Sequence, residues 1–159
     1  MRTAYAVRKL PDDSSIRVLH YGKAHTSSWA KRAKKEMQIN SRYTWHEEVP
    51  HWKINKLYAN ANLMVLSSKM EGGANVISES CAAGLPVIAS NIDGSIGLLG
   101  ENYPGYYPYG DTKSLRDLLI KAETNKLYLD KLTQACRAKA SLFAYKNEKS
   151  NLKKLFNSF

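Results

Sequence analysis

Two short, almost wholly apolar runs constrain the fold of this chain most strongly. Residues 62–67 (NLMVLS) and 86–90 (PVIAS) are separated by one helical stretch, residues 73–83, which Gly84 closes. Strands that are apolar at nearly every position are typical of parallel sheets, because helices cover both faces of such sheets. The pattern therefore predicts a strand–helix–strand unit in a parallel sheet.

Strand and helix patterns also alternate before this unit, in the order strand 15–20, helix 26–40, strand 42–46 and helix 50–60. The second pattern begins with hydroxyl residues that suit a helix N-cap. After Gly94 we predict a short helical piece, a Tyr-, Gly- and Pro-rich segment (103–111) and two or three further helices. The prediction is one α/β domain over residues 1–159, with a Rossmann-like parallel sheet flanked by helices and extra C-terminal helices.

The charge balance favours anionic partners. The chain has 24 Lys and Arg against 14 Asp and Glu, a formal net charge of +10. This excess should attract polyanions, phosphorylated small molecules or acidic membrane surfaces. The local basic clusters are interpreted as solvated helix faces; they are Lys31, Arg32, Lys34 and Lys35, and then Lys149, Lys153 and Lys154.

The cysteines and the hydropathy pattern bear on the compartment. Cys81 and Cys136 lie within helical patterns and lack metal-type spacing, which predicts reduced, buried thiols in a cytoplasmic protein. No stretch approaches the ~20 apolar residues of a membrane span. We expect no metal site, because the histidines do not have the four-residue spacing of a helical ligand pair; they are His20, His25, His46 and His51.

The stretch KMEGGANVISES, residues 69–80, carries the strongest functional signal. Glu71 and the two glycines after it follow the predicted strand 62–67, and ligands on open α/β sheets bind beyond the carboxyl ends of the strands. Gly72 and Gly73 allow unusual backbone angles and a close approach of helix N–H groups to an anion such as phosphate. Glu79 projects toward the same crevice from the helix, where a carboxylate can accept hydrogen bonds from a vicinal diol such as ribose. On the same helix Val76, Ser80 and Ala83 form a second face, which we expect to pack on the sheet.

Glu71 and Glu79, with seven residues between them and AAGLPV (82–87) after them, resemble the E-x7-E signature of the retaining glycosyltransferases of family 4. The resemblance extends to LYANANLMVLSS (57–68), which is similar to the "Y-x-x-A-D-x-x-V-x-P-S" run of these enzymes, and to VLHYG (18–22), which is similar to their "L-x-x-V-G" strand. In that family the signature lies in the C-terminal, donor-binding half of a two-domain GT-B fold. A narrower likeness, carried by EGGANVI, ASNIDG and YPGY, is to a small bacterial branch that includes selenosugar synthases.

The resemblance implies a role for each matching residue near the glycines. Glu71, as the catalytic residue, would contact hydroxyls of the donor sugar, and the backbone amides of Gly72, Gly73 and Ala74 would hold the diphosphate. The donor is a nucleotide-sugar, with UDP as the expected nucleotide, and the family requires no metal or other cofactor. Basic side chains and helix amides offset the phosphate charge instead.

The resemblance also implies where the nucleoside lies. Glu79 would accept the ribose hydroxyls, the nucleobase would lie near residues 46–49, and Gly22 would line the end of its strand. Asn75 and Val76, in the first turn of the helix, complete the expected donor-binding set.

The chain departs from the family in what it does not contain. The usual Arg and Lys after the first strand of the C-terminal half have no counterpart, since MRTAYAVRKL resembles the helix that follows that strand. We therefore expect a fragment that lacks the N-terminal acceptor domain and the first strand of this one. Such a fragment should be inactive alone, should expose apolar surface and should self-associate.

Two other functions remain open at this point. A nucleotide-sugar epimerase of the same architecture would need no acceptor. A basic, non-enzymatic binding module for nucleic acid or anionic lipid would bind with steep salt dependence. Nucleic acid is the less favoured ligand, because aromatic residues do not interleave with the basic runs, whereas peripheral membrane contact fits the net charge.

Overall fold

The structure, a computed structural model, describes residues 1–72 and 74–143. Strands and helices alternate within these residues, in the order α1 (Arg2–Val7), β1 (Val18–His20), α2 (Ser27–Ile39), β2 (Tyr43–Trp45), α3 (His51–Asn60), β3 (Met64–Leu66), α4 (Asn75–Ala82), β4 (Val87–Asn91), α5 (Asp93–Leu99), β5 (Tyr106–Pro108), α6 (Thr112–Thr124), α7 (Lys126–Ala140) and a 3-10 turn (Ser141–Phe143). The basic cluster at 149–154 lies outside the described residues.

The strands form two parallel sheets. β1 pairs with β2, and β3, β4 and β5 pair in that order. The predicted α/β class with a parallel sheet flanked by helices is confirmed, with two long C-terminal helices, α6 and α7. The difference from the prediction is that the sheet is divided between β1 and β3.

Both sheets run in the same direction. The Arg2 guanidinium donates to the carbonyl of Gly110 at 2.7 Å, and that of Arg116 donates to the carbonyl of Ala6 at 3.2 Å, so α1 and α6 lie side by side and parallel. The N–H of Ser15, just before β1, donates to the Glu123 carboxylate at the end of α6 at 2.6 Å, whereas the end of β5 leads into the start of α6. β1 therefore begins where α6 ends and β5 ends where α6 begins, so β1 points the same way as β5. The carboxyl ends of all five described strands therefore lie toward one edge of the molecule.

The inner edge strands, β1 and β3, have unpaired peptide groups. Val18 and His20 make the hydrogen bonds from β1 to β2, and Met64 begins those from β3 to β4. Alternate residues of a parallel strand bond to opposite sides, so the peptide groups of Leu19 and Val65 point away from these neighbours. Within the described ranges neither residue has a backbone partner on that side.

Two apolar clusters hold the layers together. The larger one joins β3–β5 to α4, α6 and α7, and its fully buried members include Ile77, Ile88, Tyr107, Leu115 and Leu132. The smaller cluster, Ala4, Ala33, Tyr43 and Trp45, joins α1, α2 and β2. Since burial of such side chains contributes about 1.5–3 kcal/mol each, the sheets are fixed mainly by these contacts.

Local signals set most of the element boundaries. The hydroxyl of Thr26 accepts a hydrogen bond from the N–H of Trp29 at 3.1 Å, which confirms the predicted hydroxyl cap of α2. Asp111 and Asn125 cap α6 and α7 in the same way. Both cysteines, Cys81 and Cys136, are free and fully buried, as predicted.

Three sequence predictions about this region are wrong. The helix expected from residue 73 begins at Asn75, because Ala74 has the non-helical angles φ −78° and ψ 88°. Its buried face is Ile77, Ser80 and Cys81, so Ser80 was placed correctly, but Val76 and Ala83 are exposed because the helix is rotated relative to the expected face. The segment 103–111 contains a strand, β5, that the sequence analysis did not predict.

Candidate functional site

The predicted site residues gather at the carboxyl edge of the two sheets. Gly22 lies two residues beyond β1, and the loop 67–74 leaves β3 and leads into α4. Because all strands end at this edge, the loop, the start of α4 and the end of β1 share one side of the domain. Ligand binding at this edge stays a prediction.

Glu71 is half-buried in the loop after β3, and its backbone lies against the first turn of α5. A Cβ built on Gly94 would lie 2.9 Å from the carbonyl carbon of Glu71 and 3.0 Å from its Cβ, with the carbonyl oxygen closer still. Only glycine allows this approach, so Gly94 fixes where the Glu71 loop runs. The sequence analysis did not include Gly94 among the site residues.

The start of α4 has unsatisfied N–H groups. In the described part of this helix no side chain caps the first turn and no carboxylate lies in it. Asn75 and Val76 are exposed there, whereas Ala74 is buried. These free N–H groups, together with the helix dipole, favour an anion at this point.

The two glycines before α4 contribute differently from the prediction. A Cβ on Gly72 would meet no described atom within 4 Å, and Gly72 does not adopt a left-handed conformation. The expectation of unusual backbone angles is therefore wrong for Gly72, although the open space beside it leaves room for a ligand. Gly73 lies outside the described residues.

Glu79 lies between α4 and α3 and is not turned toward bulk solvent. Its side chain keeps 31% of its exposure. The hydroxyl of Tyr58 donates to its Oε2 at 3.1 Å, and Nε2 of His51 lies 3.2 Å from its Oε1. The sequence analysis had not predicted either partner, since both come from a helix more than twenty residues earlier in the chain.

Aromatic rings meet where β1 and β2 end. Tyr21 and His46 stack with ring centroids 4.9 Å apart and planes 12° apart. The N–H of Gly22 donates to the carbonyl of Glu47 at 2.7 Å, and its φ of 140° is tolerated best by glycine. Glu47 itself has a φ of 49°, which is uncommon outside glycine. The loop 46–49 is thus tied to the end of β1 beside a flat aromatic surface.

Two exposed lysines lie on this edge outside the predicted set. Lys23 follows Gly22, and Lys69 lies in the loop that carries Glu71. In the described chain neither takes part in an ion pair. The described residues also contain no group of three or more His, Cys, Asp or Glu side chains that could hold a metal ion, and no described helix could cross a membrane.

A family model matches most of the chain. The model of "Glycosyl transferases group 1" matches residues 4–142. A search of curated proteins found no match.

Solved structures share the fold at low sequence identity. HepE from Anabaena, solved in complex with UDP and glucose, superposes with a TM-score of 0.87 at 17% identity over 99% of this chain and 44% of HepE. Sucrose-phosphate synthase from Thermosynechococcus elongatus superposes with a TM-score of 0.81 at 21% identity, over 99% of this chain and 41% of the synthase. TarM superposes with a TM-score of 0.75 at 19% identity, over 98% of this chain and 30% of TarM. The chain thus spans less than half the length of the structures it matches.

Proposed function

We propose, from the premise that the chain belongs to the glycosyl transferases group 1, that it is the donor-binding domain of an enzyme that transfers sugar from a UDP-sugar. One observation carries the proposal: Glu71 and the uncapped start of α4 lie at the carboxyl edge, and Glu79 follows one helical turn further along α4. The complexes of HepE with UDP and glucose or with UDP-glucose support a nucleotide-sugar as the ligand.

The sugar and phosphates lie over the loop 71–76 in this proposal. Glu71 contacts hydroxyls of the sugar, and the N–H groups of Gly72, Ala74, Asn75 and Val76 surround the diphosphate. The charge that develops on the departing diphosphate is stabilised by these amides and the helix dipole. Lys23 and Lys69 are exposed at the same edge and supply cations that the sequence analysis considered missing.

The nucleoside lies toward β1 and β2. Glu79 accepts hydrogen bonds from the ribose hydroxyls, because a carboxylate has about four acceptor positions and only two are in use. Gly22 borders the base, which packs near the stacked rings of Tyr21 and His46.

Calorimetric titration with UDP tests this assignment. Glu79→Ala should weaken UDP binding about tenfold or more, since hydrogen bonds to a charged group are worth about 1.5–3 kcal/mol. The matched control is Glu101→Ala, because Glu101 is an exposed carboxylate in a turn outside the crevice. Equal UDP affinity in the Glu79→Ala variant and the wild type would refute the ribose contact.

A further parallel strand between β1 and β3 completes the domain. The unpaired peptide groups of Leu19 and Val65, the common strand direction and the 57% exposure of Leu19 support this addition. Helix α3, which connects β2 to β3, also buries no side chain. An apolar strand in this position would pair with both edges and would give α3 a surface to cover.

Amide hydrogen exchange tests the strand. In residues 1–159 alone the amides of Leu19 and Val65 should exchange rapidly while those of Val18 and Met64 are protected by their ladder bonds. In the complete enzyme the first two amides should become protected. Protection of Leu19 and Val65 in the present chain would exclude the strand.

The complete enzyme also includes an N-terminal domain that binds the acceptor. Transfer occurs with retention of the anomeric configuration, as the family 4 resemblance implies, and the enzyme is cytoplasmic. Residues 1–159 alone should give no transfer. Proton NMR of the product made by the complete enzyme reports the configuration at the anomeric carbon, and an inverted product would contradict the family 4 assignment. The selenosugar branch stays a prediction, which an assay with a selenium-containing acceptor addresses.

A further inference from the structure

Helix α3 contacts the site through the side chain of Glu79. No side chain of α3 is buried, but two of them, His51 and Tyr58, reach the Glu79 carboxylate, one at each oxygen. The helix thus contributes no core residue while holding the carboxylate that the proposed function assigns to ribose.

The two partners of Glu79 differ in how firmly they hold it. The side chain of His51 is 74% exposed, so water competes for its contact with Oε1. Tyr58 is half-buried, and its hydroxyl lies 3.1 Å from Oε2. A tyrosine has only two side-chain torsions before its rigid ring, so its hydroxyl fixes the carboxylate at little cost in conformational entropy.

The Tyr58 hydroxyl is a donor over the whole neutral range. Burial, and then the nearby Glu79 carboxylate, raise the pKa of Tyr58 to about 12. The phenol therefore stays protonated and points its hydrogen at Oε2. With one lone pair of Oε2 occupied in this way, the plane of the carboxylate is set and its remaining acceptor positions face a ligand in a defined orientation.

We propose that Tyr58 is the positioning residue that orients Glu79 to recognise a vicinal diol, so that preference for a ribonucleotide over a 2′-deoxyribonucleotide depends on its hydroxyl. This inference rests on the proposed function and deepens it. Tyr58 acts through Glu79 and makes no ligand contact. An oriented carboxylate accepts hydrogen bonds from both hydroxyls of the diol. A freely rotating carboxylate must first be aligned, and the entropy lost in alignment reduces the binding free energy of those hydrogen bonds.

The test compares the affinities of UDP and 2′-deoxy-UDP in four forms of the chain: the wild type, Tyr58→Phe, Glu79→Ala and the double variant. The wild type should prefer UDP. Tyr58→Phe should reduce that preference about three- to tenfold, which is the range for one hydrogen bond. In the Glu79→Ala background the same change should have no further effect on the preference, because Tyr58 acts only through that carboxylate.

The control variant is Tyr109→Phe, since Tyr109 is an exposed tyrosine whose described ring contact is with Arg2. It should leave the preference unchanged. An unchanged preference in Tyr58→Phe, or an equal loss with and without Glu79, would overturn the positioning role while leaving the proposed function in place. Failure of the wild type to bind UDP at all would overturn the proposed function and this inference together.

Discussion

Helix α5 offers a paired test of how the Glu71 loop is held in place. Gly94 and Gly97 lie in the same seven-residue helix. A Cβ on Gly97 would meet no described atom within 4 Å, whereas one on Gly94 would lie within 3.0 Å of the Glu71 backbone and Cβ. The same substitution to alanine should therefore have opposite effects at the two positions.

The magnitudes follow from two competing contributions. Replacing a helical glycine by alanine stabilises a helix by about 0.5–1 kcal/mol, so Gly97→Ala should raise the free energy of unfolding by that amount. At Gly94 the same gain is opposed by overpacking against backbone atoms, which costs about 1–3 kcal/mol. Gly94→Ala should then lower the free energy of unfolding by about 0.5–2 kcal/mol and displace Glu71.

Urea denaturation followed by tryptophan fluorescence measures both variants, and the slope of the transition checks that unfolding remains two-state. Titration with UDP-glucose and UDP adds a functional comparison. Displacement of Glu71 should weaken the binding of UDP-glucose more than the binding of UDP, because Glu71 contacts the sugar in the proposed function. If Gly94→Ala were as stable as Gly97→Ala, the close contact between Gly94 and the Glu71 loop would not exist in solution.

Three further predictions concern buried titratable groups. Burial opposes ionisation of Glu36, but the hydrogen bonds it accepts, above all from Arg8, lower its pKa below the ordinary value. The ionised Glu36 therefore stabilises the fold above about pH 4.3, and this stabilisation is lost as the pH falls through the folded pKa. Arg8→Ala should lower the free energy of unfolding, measured by urea denaturation at pH 7, by about 1–3 kcal/mol. Burial, and then the N-terminal ammonium, lower the pKa of His20 to about 4. The free energy of unfolding should therefore decrease as the pH falls from about 6.5 toward 4, and His20→Gln should remove that part of the pH dependence. Cys81 and Cys136 are fully buried, so a thiol reagent should label them in urea but only slowly in the native protein; rapid native labelling would contradict their burial.

The strands that the sequence predicted well are those whose burial is visible locally. Residues 62–67 and 86–90 are apolar at almost every position; β4 is buried from Val87 to Ser90, as expected for a strand covered on both faces, whereas β3, at the edge of its sheet, is half-buried. β5 was missed because Tyr106–Pro108 is flanked by glycines and contains a proline, a pattern typical of loops. Its place in the sheet depends on distant contacts, such as the Tyr107 hydroxyl that donates to the carbonyl of Leu66 at 3.3 Å.

The site shows the same division between local and distant information. Spacing alone placed Glu71 in a loop at the carboxyl edge and Glu79 on the helix after it. The residues that fix these two carboxylates, Gly94 and Tyr58, lie 23 and 21 positions away in the chain, and no periodic pattern links them. Their roles depend on how α5 and α3 pack against the rest of the domain, and this packing cannot be predicted from composition or from the spacing of residues along the chain.

A map of amide chemical shifts in the isotopically labelled chain during titration with UDP tests most directly whether the nucleotide binds at the carboxyl edge. We predict that the largest changes fall on Gly22, on residues 71–76 and on Glu79, with little change at the basic residues of α2, Lys31, Arg32, Lys34 and Lys35. Changes confined to the lysines of α2, or changes that vanish on adding moderate salt, would indicate a non-specific anion-binding surface and would contradict a donor crevice at the carboxyl edge.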